Sequence, residues 1–334
     1  MTPVVVNNKR LHLLIPGLFW FAATKQLSEE SIQLKALKKI IPKADKRIFK
    51  ATNLSVALFQ FFAIEPGVQL ELPLGAVTLH GMGIDPEKYC WALATPVYLL
   101  ADRDRLILLK PDEQVVSQQD SDQLTELFND YFEEDCLSLI AVSPTEWFIR
   151  VPYCPDLTTF TMEAVVGRHI EDYLPTGLDA KKWRKFLNEI QMLFFHSELN
   201  QQKSITGEAV INSLWFSGFG TLPKVNTSLT SIYSNLPLVK GLTMLSGVAH
   251  YDQPDRLDEL VDTDGDTLIV ISDLLDYELK SDFYRWKESL LRIDEGIDNL
   301  LRKDKSKNDI ELYVCDGEKF CLKKSKFSWK VWNR

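Results

Sequence analysis

The chain has 334 residues, 45% hydrophobic and 25% charged, with a net charge of −9 and an isoelectric point near 5.2. That length supports a large core, either one big domain with an insertion or two domains, and the composition is that of an ordinary globular protein. The acidity weighs against broad binding to nucleic acid or anionic membranes, whose electrostatic footprint is positive, while leaving room for a local basic pocket around a small anion.

At the start of the chain, Lys9-Arg10 followed by the apolar run from Leu11 to Ala23 imitates the charged and hydrophobic regions of a signal peptide. Pro16-Gly17 breaks that run, so a buried first strand over 11–15 entering a Pro-Gly turn explains it equally well. No other stretch is long and apolar enough to span a membrane. Further β-branched or leucine-rich runs predict strands over 97–101, 105–109, 137–142, 147–151, 268–272 and 310–315.

Amphipathic segments alternate with these runs. Leu124, Leu127, Phe128 and Tyr131 share one face of a helix expected over 122–134, and Trp183, Leu187, Ile190 and Phe194 do so over 181–196. A third helix, 282–301, carries a continuous stripe of Trp286, Leu290, Ile293, Ile297 and Leu300. The alternation implies an α/β architecture. The polar stretch 111–122 and the loop 200–208 read as junctions of an inserted α/β module, 101–208, within a core made of 1–100 and 209–334.

The five cysteines, Cys90, Cys136, Cys154, Cys315 and Cys321, include no CxxC pair, which signals neither a disulfide framework nor a zinc site; reduced cytoplasmic thiols are expected. Asp262-Thr263-Asp264-Gly265-Asp266 hints at a calcium loop, yet its glycine stands fourth rather than sixth, as in a solvated acidic loop. The stretch from Lys319 to Arg334 interleaves lysines with Phe320, Phe327, Trp329 and Trp332. Such a pattern suits stacking on single-stranded nucleic acid, or equally a final strand pair with lysines on its wet face. Gly218 and Gly220 suit either a phosphate cradle or a tight turn after a buried strand.

Several short motifs, in order along nearly the whole chain, resemble the archaeal-type cofactor-independent phosphoglycerate mutases of the alkaline phosphatase superfamily. They are Leu11-His12-Leu13-Leu14-Ile15-Pro16-Gly17, the segment Leu79 to Tyr89 with Gly83-Ile84-Asp85-Pro86, the strand Trp147 to Val151, the element His196 to Asn200, the stretch Val210 to Pro223, Leu268 to Asp282, and Tyr313 to Gly317. The chain also resembles RpfE-like regulatory proteins, through the Leu-Leu-Ile-Pro-Gly start and the helix Leu187 to Leu193.

The reactive residues which that resemblance implies are largely replaced. Pro16 stands where the family has a metal-binding aspartate, and Leu74 or Pro73 where it has a serine nucleophile; Thr78 and Thr95 are the nearest hydroxyls. Asp276 and Asp316 keep two vestigial metal-ligand positions, whereas Leu279 or Lys280 and Gly317 replace histidines. Arg150, Arg168, Lys203 and Lys280 remain as cations able to hold a phosphate or carboxylate.

The resemblance therefore implies an alkaline-phosphatase-like three-layer α/β sandwich with a smaller inserted module, and a cytoplasmic, non-catalytic regulatory or binding protein. Its partner would be a small anion or a protein, with no nucleic acid, no membrane and no cofactor. The alternative is an active 2,3-bisphosphoglycerate-independent mutase or related metal-dependent phosphatase-class enzyme, using manganese or zinc.

Overall fold

The computed structural model describes residues 9–20, 32–64, 71–111, 116–208, 210–259, 265–303 and 309–323. The chain divides into two compact units, 1–64 with 225–334 and 65–224. In chain order, unit 1 begins with β1 (Arg10–Leu14), β2 (Asp45–Ile48) and α1 (Leu54–Phe61). Unit 2 then contributes α2 (Leu74–Gly81), β3 (Cys90–Asp102), β4 (Arg105–Leu109), α3 (Gln118–Tyr131), β5 (Ser138–Ala141), β6 (Trp147–Val151), α4 (Ala180–Phe195), α5 (Glu198–Thr206) and β7 (Ser213–Gly220). Back in unit 1 the chain forms β8 (Ser231–Tyr233), α6 (Pro237–Ser246), β9 (Ala249–Tyr251), β10 (Thr267–Val270), α7 (Asp273–Leu279), α8 (Phe283–Lys303), β11 (Asp309–Tyr313) and β12 (Glu318–Leu322).

Unit 1 is a seven-stranded sheet in the order β2-β12-β11-β1-β10-β8-β9. β11, β1, β10, β8 and β9 run parallel, while β12 turns back antiparallel on β11 and pairs antiparallel with β2. Alternation along the strands separates two faces. Leu11, Leu13, Ile310, Leu312, Phe320 and Leu322 join the stripe of α8, from Trp286 to Leu300, in one buried apolar cluster. The other face carries His12, Glu311, Tyr313, Lys319 and Cys321, against Phe49 and against Phe61 of α1. The α/β class expected from the sequence is the one observed, with a parallel-rich sheet and helices.

A buried carboxylate ties α8 to the short helix Leu37–Ile40. Asp294 Oδ1 accepts from the N–H groups of Ala36 at 3.1 Å and Leu37 at 2.7 Å, and Oδ2 accepts from Lys35 N–H at 2.5 Å. Donors at a helix start have no partner within the helix, so this acceptor satisfies them from outside.

In unit 2 every strand pairing is antiparallel, and the long β3 is the hub, bonding β4, β6 and β7. One side of the sheet buries Ala92, Ala94, Ile149 and Phe216 with Phe128 of α3 and Trp183, Phe186 and Ile190 of α4. Trp91 and Phe148 point the other way, onto Ala76 and Leu79 of α2. The unit boundaries differ from the expected 100/101 and 208/209. Residues 71–100 join the second unit because α2 packs on β3 so closely that a Cβ at Gly75 would lie 2.4 Å from Ala92 Cα, and residues 213–220 join it through the β3–β7 ladder.

Candidate functional site

Ligands of open parallel sheets collect beyond the carboxyl ends of the strands, which here are the residues after β1, β10 and β11. After β1 the chain enters buried Pro16 and then Gly17 at φ +78°. The Gly17 carbonyl accepts from Trp286 Nε1–H at 2.9 Å, and a Cβ at Gly17 would sit 2.8 Å from the backbone of Leu274 and Leu275. Only glycine tolerates that positive φ and that proximity to the first turn of α7. The Pro-Gly turn expected from the sequence is therefore a packing joint.

After β10, α7 opens with Asp273, whose Oδ2 lies 2.5 Å from Arg292 of α8. Asp276 and Lys280 are exposed one turn apart, with the Lys280 N–H donating to the Asp276 carbonyl at 3.1 Å. After β11, Cys315 adopts φ +61° and its thiol is pushed up to about 12, by burial and then by the Asp316 charge. Asp316 is exposed, and its Oδ1 accepts the Glu318 N–H at 3.0 Å, closing the turn into β12 through Gly317 at φ +92°.

β10 and β11 flank β1, which places their ends two strand spacings, roughly 10 Å, apart. A two-metal centre needs several anionic or imidazole donors converging on ions about 4 Å apart. Pro16 has no side-chain oxygen, Asp276 is exposed on α7 with Asp273 held in an ion pair, and Asp316 serves its turn. Among the described residues, no group of three or more His, Cys, Asp and Glu side chains gathers in ligating geometry. This donor set does not fit a pair of manganese or zinc ions.

The remaining expected anion contacts lie on separate elements of unit 2. Arg150 on β6 stacks its guanidinium over the Tyr89 ring at 4.7 Å. Arg168 is exposed and donates to the Tyr173 hydroxyl at 2.7 Å. Lys203 on α5 binds Asp120 Oδ2 at 2.7 Å, the residue that closes a capping box with Ser117 at the start of α3. Burial acts against the Asp120 charge, yet hydrogen bonds from Lys203 and Ser117 hold its carboxyl below the ordinary value. Lys203 thus fastens α5 to α3. Likewise His196 caps α4 through its Met192 contact, and Asn200 Nδ2 donates to the carbonyls of Phe194 and Ile211, both at 2.8 Å. At the expected nucleophile position, Pro73 and Leu74 are buried at the head of α2; Thr78 lies within that helix and Thr95 on β3 opposite Trp215.

Three features escape the sequence reading. First, Cys90 and Cys154 form a disulfide, Cα–Cα 5.3 Å, which corrects the expectation of reduced thiols. They stand 64 positions apart, and only the β3–β6 register, with Cys90 opposite Val151, brings them together. Second, Glu71 places its carboxylate among the N–H groups of Thr159 and Phe219, each at 2.9 Å, and the Thr159 hydroxyl. Burial nevertheless raises its pKa, more than those donors lower it.

The third feature is the polar face of the unit 1 sheet. Glu311 Oε2 accepts from the Tyr313 hydroxyl at 2.5 Å and Lys319 Nζ at 2.7 Å, and His12 Nδ1 lies 3.0 Å from the same hydroxyl. Burial opposes the Glu311 charge, but the bonds from His12, Lys319 and Tyr313 overcome it and hold the carboxyl far below its ordinary range. The signal was an alternation of polar residues along three neighbouring strands, visible only once those strands are paired. The proposed calcium loop and the basic-aromatic tail fall mostly on 262–264 and 324–334, outside the described residues.

No family model matches the chain, and no curated protein matches it. Among solved structures, the PH0037 protein of Pyrococcus horikoshii superposes over 96% of this chain and 88% of its own, with a TM-score of 0.56 and 15% identity. At that identity the match shows a shared fold. A cofactor-independent phosphoglycerate mutase from Thermoplasma acidophilum covers 94% of this chain and 89% of its own, with a TM-score of 0.45 and 13% identity. Among the described residues no helix is long and apolar enough to cross a membrane.

Proposed function

We propose that this chain is a non-catalytic binding or regulatory protein built on a scaffold resembling the cofactor-independent phosphoglycerate mutases. The observation that carries the reading is the set of side chains at the strand ends: Pro16 after β1, Asp276 exposed on α7 after β10, where Asp273 is paired with Arg292, and Asp316 bound into a turn after β11. Phosphoryl transfer of the two-metal kind needs those positions to converge on cations and an activated nucleophile. Here they serve the joints between strands, helices and turns. The ordered motifs of the mutase scaffold, with Pro73 or Leu74 at the nucleophile position, support the same reading.

The partner is a small anion or a protein, with Arg150 as the anion contact among the family-matched positions. The decisive test combines metal analysis of the purified protein with a phosphoglycerate mutase assay and thermal unfolding in manganese, zinc and 3-phosphoglycerate. The expected result is no manganese-dependent turnover; a ligand at 100 times its dissociation constant still adds about 2.7 kcal/mol of stability. Turnover that requires manganese and disappears in Asp276→Ala or Asp316→Ala would overturn the proposal and establish the active-enzyme alternative.

A further inference from the structure

The carboxyl ends of the parallel strands are filled by packing joints, but their amino ends open on a cavity of about 640 Å³. It lies where β1 and β11 begin and β12 ends, in the size range of small-molecule sites. Its charged lining consists of Lys9, Arg10, Arg47 and Lys323 against Asp266, Asp309 and Glu311.

None of those carboxylates is without a partner. Asp266 takes the Arg10 backbone N–H at 3.1 Å and the Arg10 guanidinium at 3.3 Å. Glu311 is ion-paired with Lys319 and accepts a hydrogen bond from the Tyr313 hydroxyl. Arg47 and Lys323 are left: both are exposed, and neither forms an ion pair with another described residue. In the β12–β2 register Arg47 stands directly opposite Lys319, whose own charge is taken by Glu311, so Arg47 keeps its charge for the cavity. A cluster of cations around a cavity, in a chain of net charge −9, concentrates positive potential there and attracts counter-ions.

We propose that this amino-edge cavity is a binding site for a compact polyvalent anion, a phosphate ester or a di- or tricarboxylate, gripped by Arg47 and Lys323. Arg47 supplies a planar fork suited to two oxygens of such a group, and Lys323 a compact point charge. Glu311 and Cys321 form the buried side of the cavity, and the Glu311 charge, compensated by Lys319, fixes how far the anion enters.

The test is calorimetric titration and thermal unfolding with pyrophosphate and with citrate, at ionic strength held constant by sodium chloride. A saturable single-site isotherm and a raised unfolding midpoint are expected, the tighter of the two probes telling phosphate from carboxylate chemistry. Arg47→Glu and Lys323→Glu should each weaken binding at least tenfold, whereas Lys185→Glu, at an exposed position of α4 in unit 2, should leave it unchanged. If a charge-reversed variant does not fold, Arg47→Gln and Lys323→Gln replace it, with at least a threefold loss expected. Absence of a saturable isotherm with both probes, an effect reproduced by chloride, or equal weakening in Lys185→Glu would each overturn the site. None of these outcomes depends on the mutase assay, so this site and the non-catalytic reading stand or fall separately.

Discussion

Glu311 is the residue on which the polar half of the unit 1 sheet depends. Its carboxyl is held far below the ordinary value of 4.5, against burial, by Lys319, Tyr313 and His12. A depressed folded-state value contributes stability that is fully present above 4.5 and is lost as pH falls below it, because the unfolded chain then binds the proton more readily. Glu311→Gln removes the charge and leaves Lys319 half-buried without its partner. The cost should be about 3 kcal/mol near neutral pH, the scale for breaking a buried ion pair from one side. Urea unfolding at pH 7 and at pH 3.5 checks this: the gap between wild type and variant should narrow at the lower pH, and an equal gap at both would refute the ionised network. Glu71 has the opposite sign. Its value is raised, so its ionisation costs stability as pH climbs above 4.5, and the two carboxylates partly offset one another in a whole-protein pH profile. Neither role was legible beforehand, since a lone Glu in a leucine-rich run gives no hint of which strand will lie beside it.

At the scale of elements, the sequence was most informative where one periodicity ran long. The stripe from Trp286 to Leu300 lies buried along α8, and the strands expected at 105–109 and 147–151 coincide with β4 and β6. α3 begins earlier than its apolar stripe suggested because Ser117 and Asp120 cap it with polar residues, which carry no hydrophobic signal. β3 extends well before 97–101, since it is buried by two neighbours and its first half, with Trp91 and Ala92, lacks a clean alternation. The Cys90–Cys154 link belongs to this scale, as it ties the start of β3 to the chain beyond β6. Closing a loop with 64 residues of separation restricts the unfolded chain, and the expected contribution is about 4 kcal/mol. Dithiothreitol should therefore lower the unfolding free energy of the wild-type protein by that amount, seen as a lower urea midpoint, and leave Cys154→Ser unmoved. An identical midpoint with and without reductant would show that the bond does not form in solution.

For the molecule as a whole, the decisive architectural fact is that unit 2 is one continuous segment, 65–224, set into a unit that needs both ends of the chain. Its core of Phe128, Phe132, Trp183, Phe186, Ile190 and Phe194 is internal to that segment, as are its sheet and its disulfide. The chain leaves and re-enters unit 1 side by side, the Asn226 N–H bonding the Phe62 carbonyl at 3.2 Å, the arrangement expected where a domain is inserted at neighbouring ends. Unit 1 by contrast brings β1, near the start of the chain, between β10 and β11 from its last third, and cannot close its central sheet until both have been made. A fragment covering 65–224 should thus fold alone, with a cooperative urea transition by circular dichroism and tryptophan fluorescence and a midpoint lowered by reductant. A fragment of 225–334 should not, because it lacks β1 and leaves β10 and β11 with unpaired inner edges. A broad, non-cooperative transition in the first fragment would mean that unit 2 draws its stability from the rest of the chain.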